Sequence, residues 1–140
     1  RYPFYATHYT PNFNRRIWKK LEEATRVLND KKEILETYVL TAPVFYFDRK
    51  IETIGSSTDK LGIDIPVPHA FVKSVLAEDK KGKLSLWTFL MENKELTGKI
   101  EDYLVNTYDV EQLVGGRFWD RISGTDMHPQ KKTPNKIWEY

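Results

Sequence analysis

The sequence predicts an α+β domain, a mostly antiparallel sheet with one long helix near its N-terminus. Two patterns carry that prediction. Apolar residues recur at helical spacing over residues 14–28, whereas most later apolar runs are short, rich in β-branched and aromatic residues, and bounded by turn residues. The length agrees: 140 residues fit one domain, which at this size buries roughly 70% of its unfolded surface.

The helix runs from about Asn14 to Leu28. Ile17, Leu21, Ala24 and Leu28 form one stripe that Trp18 widens, Asn12 or Asn14 can cap the first turn, and Asn29-Asp30 with two lysines ends it. Tyr38–Thr41 and Val44–Phe47 read as extended, with Pro43 between them forcing a bend or an edge position. Lys50–Ile54 is a further short strand, residues 55–62 a polar loop, and 63–68 a proline-extended stretch. Phe71–Leu76 and Leu84–Met91 are strands that the turn at Lys80-Lys81-Gly82 joins into an antiparallel hairpin. Asp109–Val114 is a short helix stopped by Gly115-Gly116. From Ser123 the composition turns polar and proline-bearing before the aromatic end Ile137-Trp138-Glu139-Tyr140, a pattern expected of an extended basic tail over 123–140.

Composition removes several function classes. The chain has no cysteine, so it has neither a disulfide framework nor a thiolate metal site. No apolar run approaches the ~20 residues needed to span a bilayer. The net charge of +2 makes no case by itself for non-specific nucleic-acid binding.

Several segments, taken in order, resemble the DNA/RNA non-specific endonuclease family, the ββα-metal group that includes endonuclease G. Phe4–Asn12 followed by Phe13-Asn14 and Trp18-Lys19-Lys20-Leu21-Glu22 is similar to the family's F-Y-L-S-N-x-x-P-Q and L/F-N-x-x-x-W-x-x-L-E. Tyr38–Val44 is similar to its Y-V-x-T-G-P strand with Ala42 for glycine, and Ile54-Gly55 to its V-I-G. Val67–Lys73 resembles V-P-x-x-F/Y-F/W-K, and Phe89–Asn93 resembles F-V-M-P-N. Glu101–Val105 and Asp109–Gly115 resemble the closing strand and I-E-x-x-x-G helix. The resemblance covers about residues 4–122, and it implies a fold like the later part of the ββα-metal nuclease, with 1–122 as a domain incomplete at its N-terminal side.

The resemblance also implies a chemistry, magnesium-assisted phosphodiester hydrolysis. Asn14 matches the family's metal ligand, an amide oxygen suited to Mg²⁺, which keeps most of its waters. Glu22 matches the glutamate that holds a metal-bound water, and Arg26 matches the arginine one turn on, forming an i,i+4 pair with it. Arg15, Arg16 and Lys19 flank the helix start and are placed to meet phosphates of a nucleic acid. The family's general base, the histidine of D-R-G-H, has no counterpart: Asp48-Arg49-Lys50 and Asp120-Arg121-Ile122 lack the Gly-His. Thr7-His8 stands for the family's S-N, and Pro11-Asn12 for its P-Q.

Each of these residues also has a plainer role. Asn14 suits a helix cap, Glu22 and Arg26 a solvated surface pair, and the basic residues a solvated face. His8 tempts as a substitute base, whereas His69 and His128 fall outside the motif positions. Trp18, Phe71 and Trp87 lie on apolar faces and are expected in the core. The resulting expectation is a nuclease-derived, catalytically inactive structural or interaction subunit. Other protein chains would cover its N-terminal side, and it would need no cofactor. The alternative is a Mg²⁺-dependent nuclease whose histidine half lies on another chain or upstream of this sequence. Similarity to endonuclease G points to mitochondria.

Overall fold

The computed structural model describes residues 16–54, 65–122 and 127–140. Helix α1 (Ile17–Asn29) buries Ile17, Trp18, Leu21, Ala24 and Leu28, the stripe read from the sequence. The expected caps Asn12 and Asn14 lie outside the described residues, and Arg16, just ahead of the first turn, makes no side-chain capping bond. The helix ends where the Asp30 N–H donates to the Arg26 and Val27 carbonyls.

Strands β1 (Ile34–Val44), β4 (Ala70–Asp79) and β5 (Leu84–Glu92) form one antiparallel sheet in the order β1-β4-β5. A second, two-stranded sheet pairs β2 (Thr53–Ile54) with β3 (Ile65–Pro66). The polar loop expected at 55–62 and the start of the 63–68 stretch lie outside the described residues. The two strands expected on either side of Pro43 are one strand, which passes through Pro43 and stops at Val44, leaving Phe45–Phe47 outside it. The break fails because β1 is an edge strand, where a missing N–H need not cost a ladder bond.

The β4–β5 hairpin closes as predicted. Asp79 Oδ1 accepts the N–H groups of Lys81 (2.9 Å) and Lys83 (2.8 Å). Gly82 takes a φ of +85°, a left-handed conformation that glycine adopts without steric cost. β4 is the centre of the domain, and its residues Ala70–Ala77 are all buried. On one face Phe71, Val75 and Ala77, with Trp87, Phe89 and Met91 of β5, pack against α1. On the other, Ala70 and Val72 pack against Val110 and Phe118, while Leu76, Leu84 and Leu86 meet Met127.

A 3-10 turn (Ile100–Tyr103) and helix α2 (Thr107–Val114) follow β5. The Asn106 side chain accepts from Tyr108 N–H to start α2, and Gly115, at φ +69°, ends it. Residues 127–140 do not run free as an extended tail. They contain helix α3 (His128–Lys132) and then line the open edge of β5. There Gln130 takes the place of a neighbouring strand: its Oε1 accepts from Leu86 N–H (2.7 Å) and its Nε2 donates to the Leu84 carbonyl (2.6 Å). Asn135 donates to the Leu86 carbonyl at 2.8 Å. Trp138 then enters the α1 core, donating its indole N–H to the Ala24 carbonyl at 2.8 Å and setting its ring edge-on to Trp87 (4.8 Å between centroids) and Phe89 (6.0 Å). The segment could not be read as core from its composition, because every apolar partner it uses comes from elsewhere in the chain.

Candidate functional site

Helix α1 presents two different flanks beside its buried stripe. Trp18, Glu22 and Arg26 follow one another at intervals of four on one flank. Arg16, Lys20, Glu23 and Val27 lie on the other, above the loop at 94–99. Of the residues the sequence points to, Asn14 and Arg15 lie outside the described residues, as does His8. Arg16 and Lys19 are exposed and engage acids, Arg16 with Glu95 at 3.5 Å and Lys19 with Glu23 at 4.0 Å. Exposed pairs of this kind are worth at most about 1 kcal/mol, so both cations remain available to an incoming polyanion.

Glu22 is half-buried and Arg26 exposed. The i,i+4 ion pair expected between them does not form among the described residues, although Lys19 and Glu23 close at the same spacing. The reason lies in the sheet beneath. Lys73 of β4 reaches up to this flank, and the Glu22 charge acts on its ammonium instead.

Lys73 is a residue that the sequence reading passed over, although it stands in the V-P-x-x-F-V-K segment. The signal was present, because Lys73 falls on the same strand face as Phe71 and Val75 and so occupies a core position. It is 7% exposed and has no ion pair among the described residues. Its Nζ lies 4.9 Å from the centroid of the Trp18 ring. Burial pushes its pKa below the usual lysine value; the Glu22 carboxylate opposes that shift and the Arg26 guanidinium adds to it. A desolvated cation–π contact returns about 2 kcal/mol, less than the several kcal/mol that burying an ammonium costs. Lys73 therefore weakens the fold where an apolar side chain would strengthen it.

Histidine chemistry is absent from this flank among the described residues. His69 uses both ring nitrogens structurally, Nδ1 accepting from Tyr46 N–H (2.8 Å) and Nε2 donating to the Lys50 carbonyl (2.9 Å). His128 sits on the far side of the sheet, 2.6 Å from the Tyr108 hydroxyl. Trp18, Phe71 and Trp87 are buried core, as expected. Arg49 pairs with Glu92 at 3.8 Å and Asp120 with Lys131 at 3.3 Å, which gives both Asp-Arg dipeptides surface or bridging contacts.

The largest cleft, about 670 Å³, opens elsewhere, between α2 and the turn at 115–120. Its wall holds a buried ion pair, Lys131 Nζ to Glu111 Oε2 at 2.7 Å, with both side chains more than nine-tenths buried. Glu111 Oε2 also accepts from Phe118 N–H at 2.7 Å. These contacts fasten α3 to α2, and no charge in the pair is left over for a ligand.

Among the described residues no group of three His, Asp or Glu side chains is placed to hold a metal ion. Mg²⁺ does not demand such a cage, since one protein oxygen, several waters and substrate phosphates suffice. A flank with a half-buried carboxylate and two cations suits such an ion and a phosphate together. Among the described residues no helix is long and apolar enough to cross a membrane.

Three comparisons bear on this geometry. The family model of the DNA/RNA non-specific endonucleases matches residues 4–125. Among solved structures, the crystal structure of the EndoG/EndoGI complex, which addresses the mechanism of EndoG inhibition, contains a similar chain. The two chains are 29% identical, with a TM-score of 0.67, over 81% of this chain and 47% of that one. This sequence thus spans about half the length of the solved chain it matches. No curated protein matches it.

Proposed function

Because this chain belongs to the DNA/RNA non-specific endonuclease family, we propose that it supplies the α1 half of a Mg²⁺-dependent phosphodiester-hydrolysing site, with the general base coming from residues outside those described. The observation that supports this reading is the flank of α1, where Glu22 and Arg26 stand without pairing to each other above a buried, unpaired lysine. An inert surface pair closes on itself, whereas groups that serve a reaction stay open to water and substrate.

In this reading Asn14 holds the metal. The ion, when bound, neutralises phosphate charge and eases departure of the leaving oxygen. Glu22 accepts hydrogen bonds from water at the site and fixes its direction. Arg26, exposed at the next turn, meets a phosphate oxygen and stabilises the extra negative charge of the transition state. Arg16 and Lys19 extend the cationic approach along the helix, where an exposed acid gives way to a phosphate at little cost. Nucleic acid is the partner this arrangement fits, and a mitochondrial setting belongs to the same proposal.

The test is cleavage of plasmid DNA and of RNA by the intact full-length protein, in the assembly in which it is found, with Mg²⁺ and again with a chelator. The expected result is Mg²⁺-dependent cleavage that Asn14→Ala and Glu22→Gln each reduce at least about a hundredfold. An intact wild-type protein that leaves both nucleic acids whole overturns the reading.

A specific observation favours a second role, that of an interaction subunit without catalysis. The outer edge of β1 is unpaired among the described residues and carries the exposed side chains Leu35, Tyr38 and Val39. Long apolar edges of this kind are normally covered. Cross-linking mass spectrometry that finds another chain along 34–44, together with no cleavage, would favour this role.

A further inference from the structure

Lys73 holds a charge at a position where the fold has no structural use for one. Phe71 and Val75, its neighbours on the same face of β4, are apolar core. Its cross-strand partners, Thr41 of β1 and Phe89 of β5, carry no charge. The charges that act on it belong to α1: Glu22 attracts the ammonium and Arg26 repels it. Trp18, one turn before Glu22, takes the ammonium against its ring at 4.9 Å. Lys73 therefore cannot swing away with solvent as a surface lysine does. It is a cation at a fixed place, anchored on a strand that is hydrogen-bonded on both sides.

Left alone, Glu22 and Arg26 stand at the spacing that draws a carboxylate and a guanidinium together on a helix surface. Lys19 and Glu23 on the same helix show that pairing, at 4.0 Å. We propose that Lys73 is a positioning residue that keeps Glu22 and Arg26 apart, drawing the carboxylate toward the sheet and driving the guanidinium outward. One group then stays free to orient water and the other to receive a phosphate. The inference rests on the nuclease reading above for what the separated groups do, and it adds to that reading a residue which itself touches no substrate.

Two measurements on the full-length protein test it. The first compares Lys73→Met and Lys73→Arg with wild type in Mg²⁺-dependent cleavage and in thermal unfolding. Lys73→Met should lower kcat at least about tenfold with KM within about twofold and with no fall in Tm, and Lys73→Arg should restore most of kcat. A lysine that only props up the core gives the reverse, a lower Tm with kcat per folded molecule unchanged, and that result overturns the proposal.

The second needs no catalysis and covers the case in which Lys73→Met fails to fold. The titration of the Lys73 ammonium is followed by carbon NMR at its Cε in wild type, Glu22→Gln and Arg26→Gln. Glu22→Gln should move the midpoint down and Arg26→Gln should move it up. If neither moves it, Lys73 is uncoupled from the pair and the positioning role is overturned. If both move as stated but the intact wild-type protein does not cleave, the nuclease reading falls and the separation of the pair by Lys73 stands.

Discussion

Replacing Trp138 with alanine should cost this domain more than any change on its surface, and the structure shows why. The side chain is 92% buried by its 8% exposure, and a tryptophan in that state removes roughly 200 Å² from water. At about 25 cal/mol per Å² that is near 5 kcal/mol, an upper figure because the unfolded chain already hides some of this surface. The two edge-on ring contacts, to Trp87 and Phe89, are worth about 0.5–1.5 kcal/mol each beyond the area. Large-to-small core substitutions of this kind typically cost about 3–5 kcal/mol, and the same range is expected here.

Trp138→Phe separates the contributions. It keeps most of the ring contact and loses only the indole N–H bond to the Ala24 carbonyl, which still accepts within the helix. The expected loss is about 1–2 kcal/mol. Urea unfolding with a common slope reads both values, and amide exchange should show Leu21–Leu28 opening faster in Trp138→Ala. A Trp138→Ala cost below about 1 kcal/mol would mean that the last residues do not pack on α1, and the account of the core given above would be wrong.

Three further outcomes follow from other contacts. Lys131→Ala should destabilise by about 3–5 kcal/mol because it strands the buried Glu111 carboxylate; adding Glu111→Gln should recover a large part of that loss in a urea-unfolding double-mutant cycle. Gly98→Ala should cost about 1–3 kcal/mol, since Gly98 has a φ of +90° and a Cβ there would lie 2.7 Å from Asp102 Oδ2, displacing the carboxylate that accepts from Lys99 N–H; thermal unfolding reads it. The Tyr140 hydroxyl donates to Glu101 Oε1 at 2.6 Å, which raises its pKa to about 12 from an ordinary 10.0. The sign is that of a raised pKa: the contact's stabilisation is full below pH 10 and is lost as pH rises toward 12. Ultraviolet titration of tyrosinate should therefore find Tyr140 ionising late, and Glu101→Gln should bring its midpoint back toward the ordinary value.

How legible the fold was in the sequence depended on how local its causes are. The stripe on α1 and the Asp79–Lys83 turn are written within a few residues of each other, and both came out as read. Pro43 misled because a proline breaks a strand only where its N–H is needed, and the edge position of β1 is a tertiary fact. The 127–140 segment misled for the same reason on a larger scale: Gln130, Asn135 and Trp138 complete a sheet edge and a core built by residues dozens of positions earlier. Charges were the least legible. Lys131, Glu111 and Lys73 look like surface residues in composition, and only the fold shows two of them neutralising each other and the third held against Trp18. Of the site, Glu22 and Arg26 were placed on one flank by spacing alone, whereas the lysine beneath them needed the strand register to be seen.

The bond from Trp138 to Ala24 joins residues 114 positions apart, and this bears on how the domain is made as well as on how stable it is. A chain emerging from the ribosome exposes α1 early, but the indole that fills its core leaves the tunnel only when Trp138 has been translated. Until then Trp87, Phe89 and the underside of α1 share an incompletely filled apolar face, and the β5 edge lacks the Gln130 amide that later occupies it. Contacts of such long sequence separation slow folding and lengthen the time for which strand edges are open to aggregation. Nascent chains halted before residue 138 should therefore engage chaperones and resist compaction, and the last few residues added should act as the latch that commits α1 to the sheet.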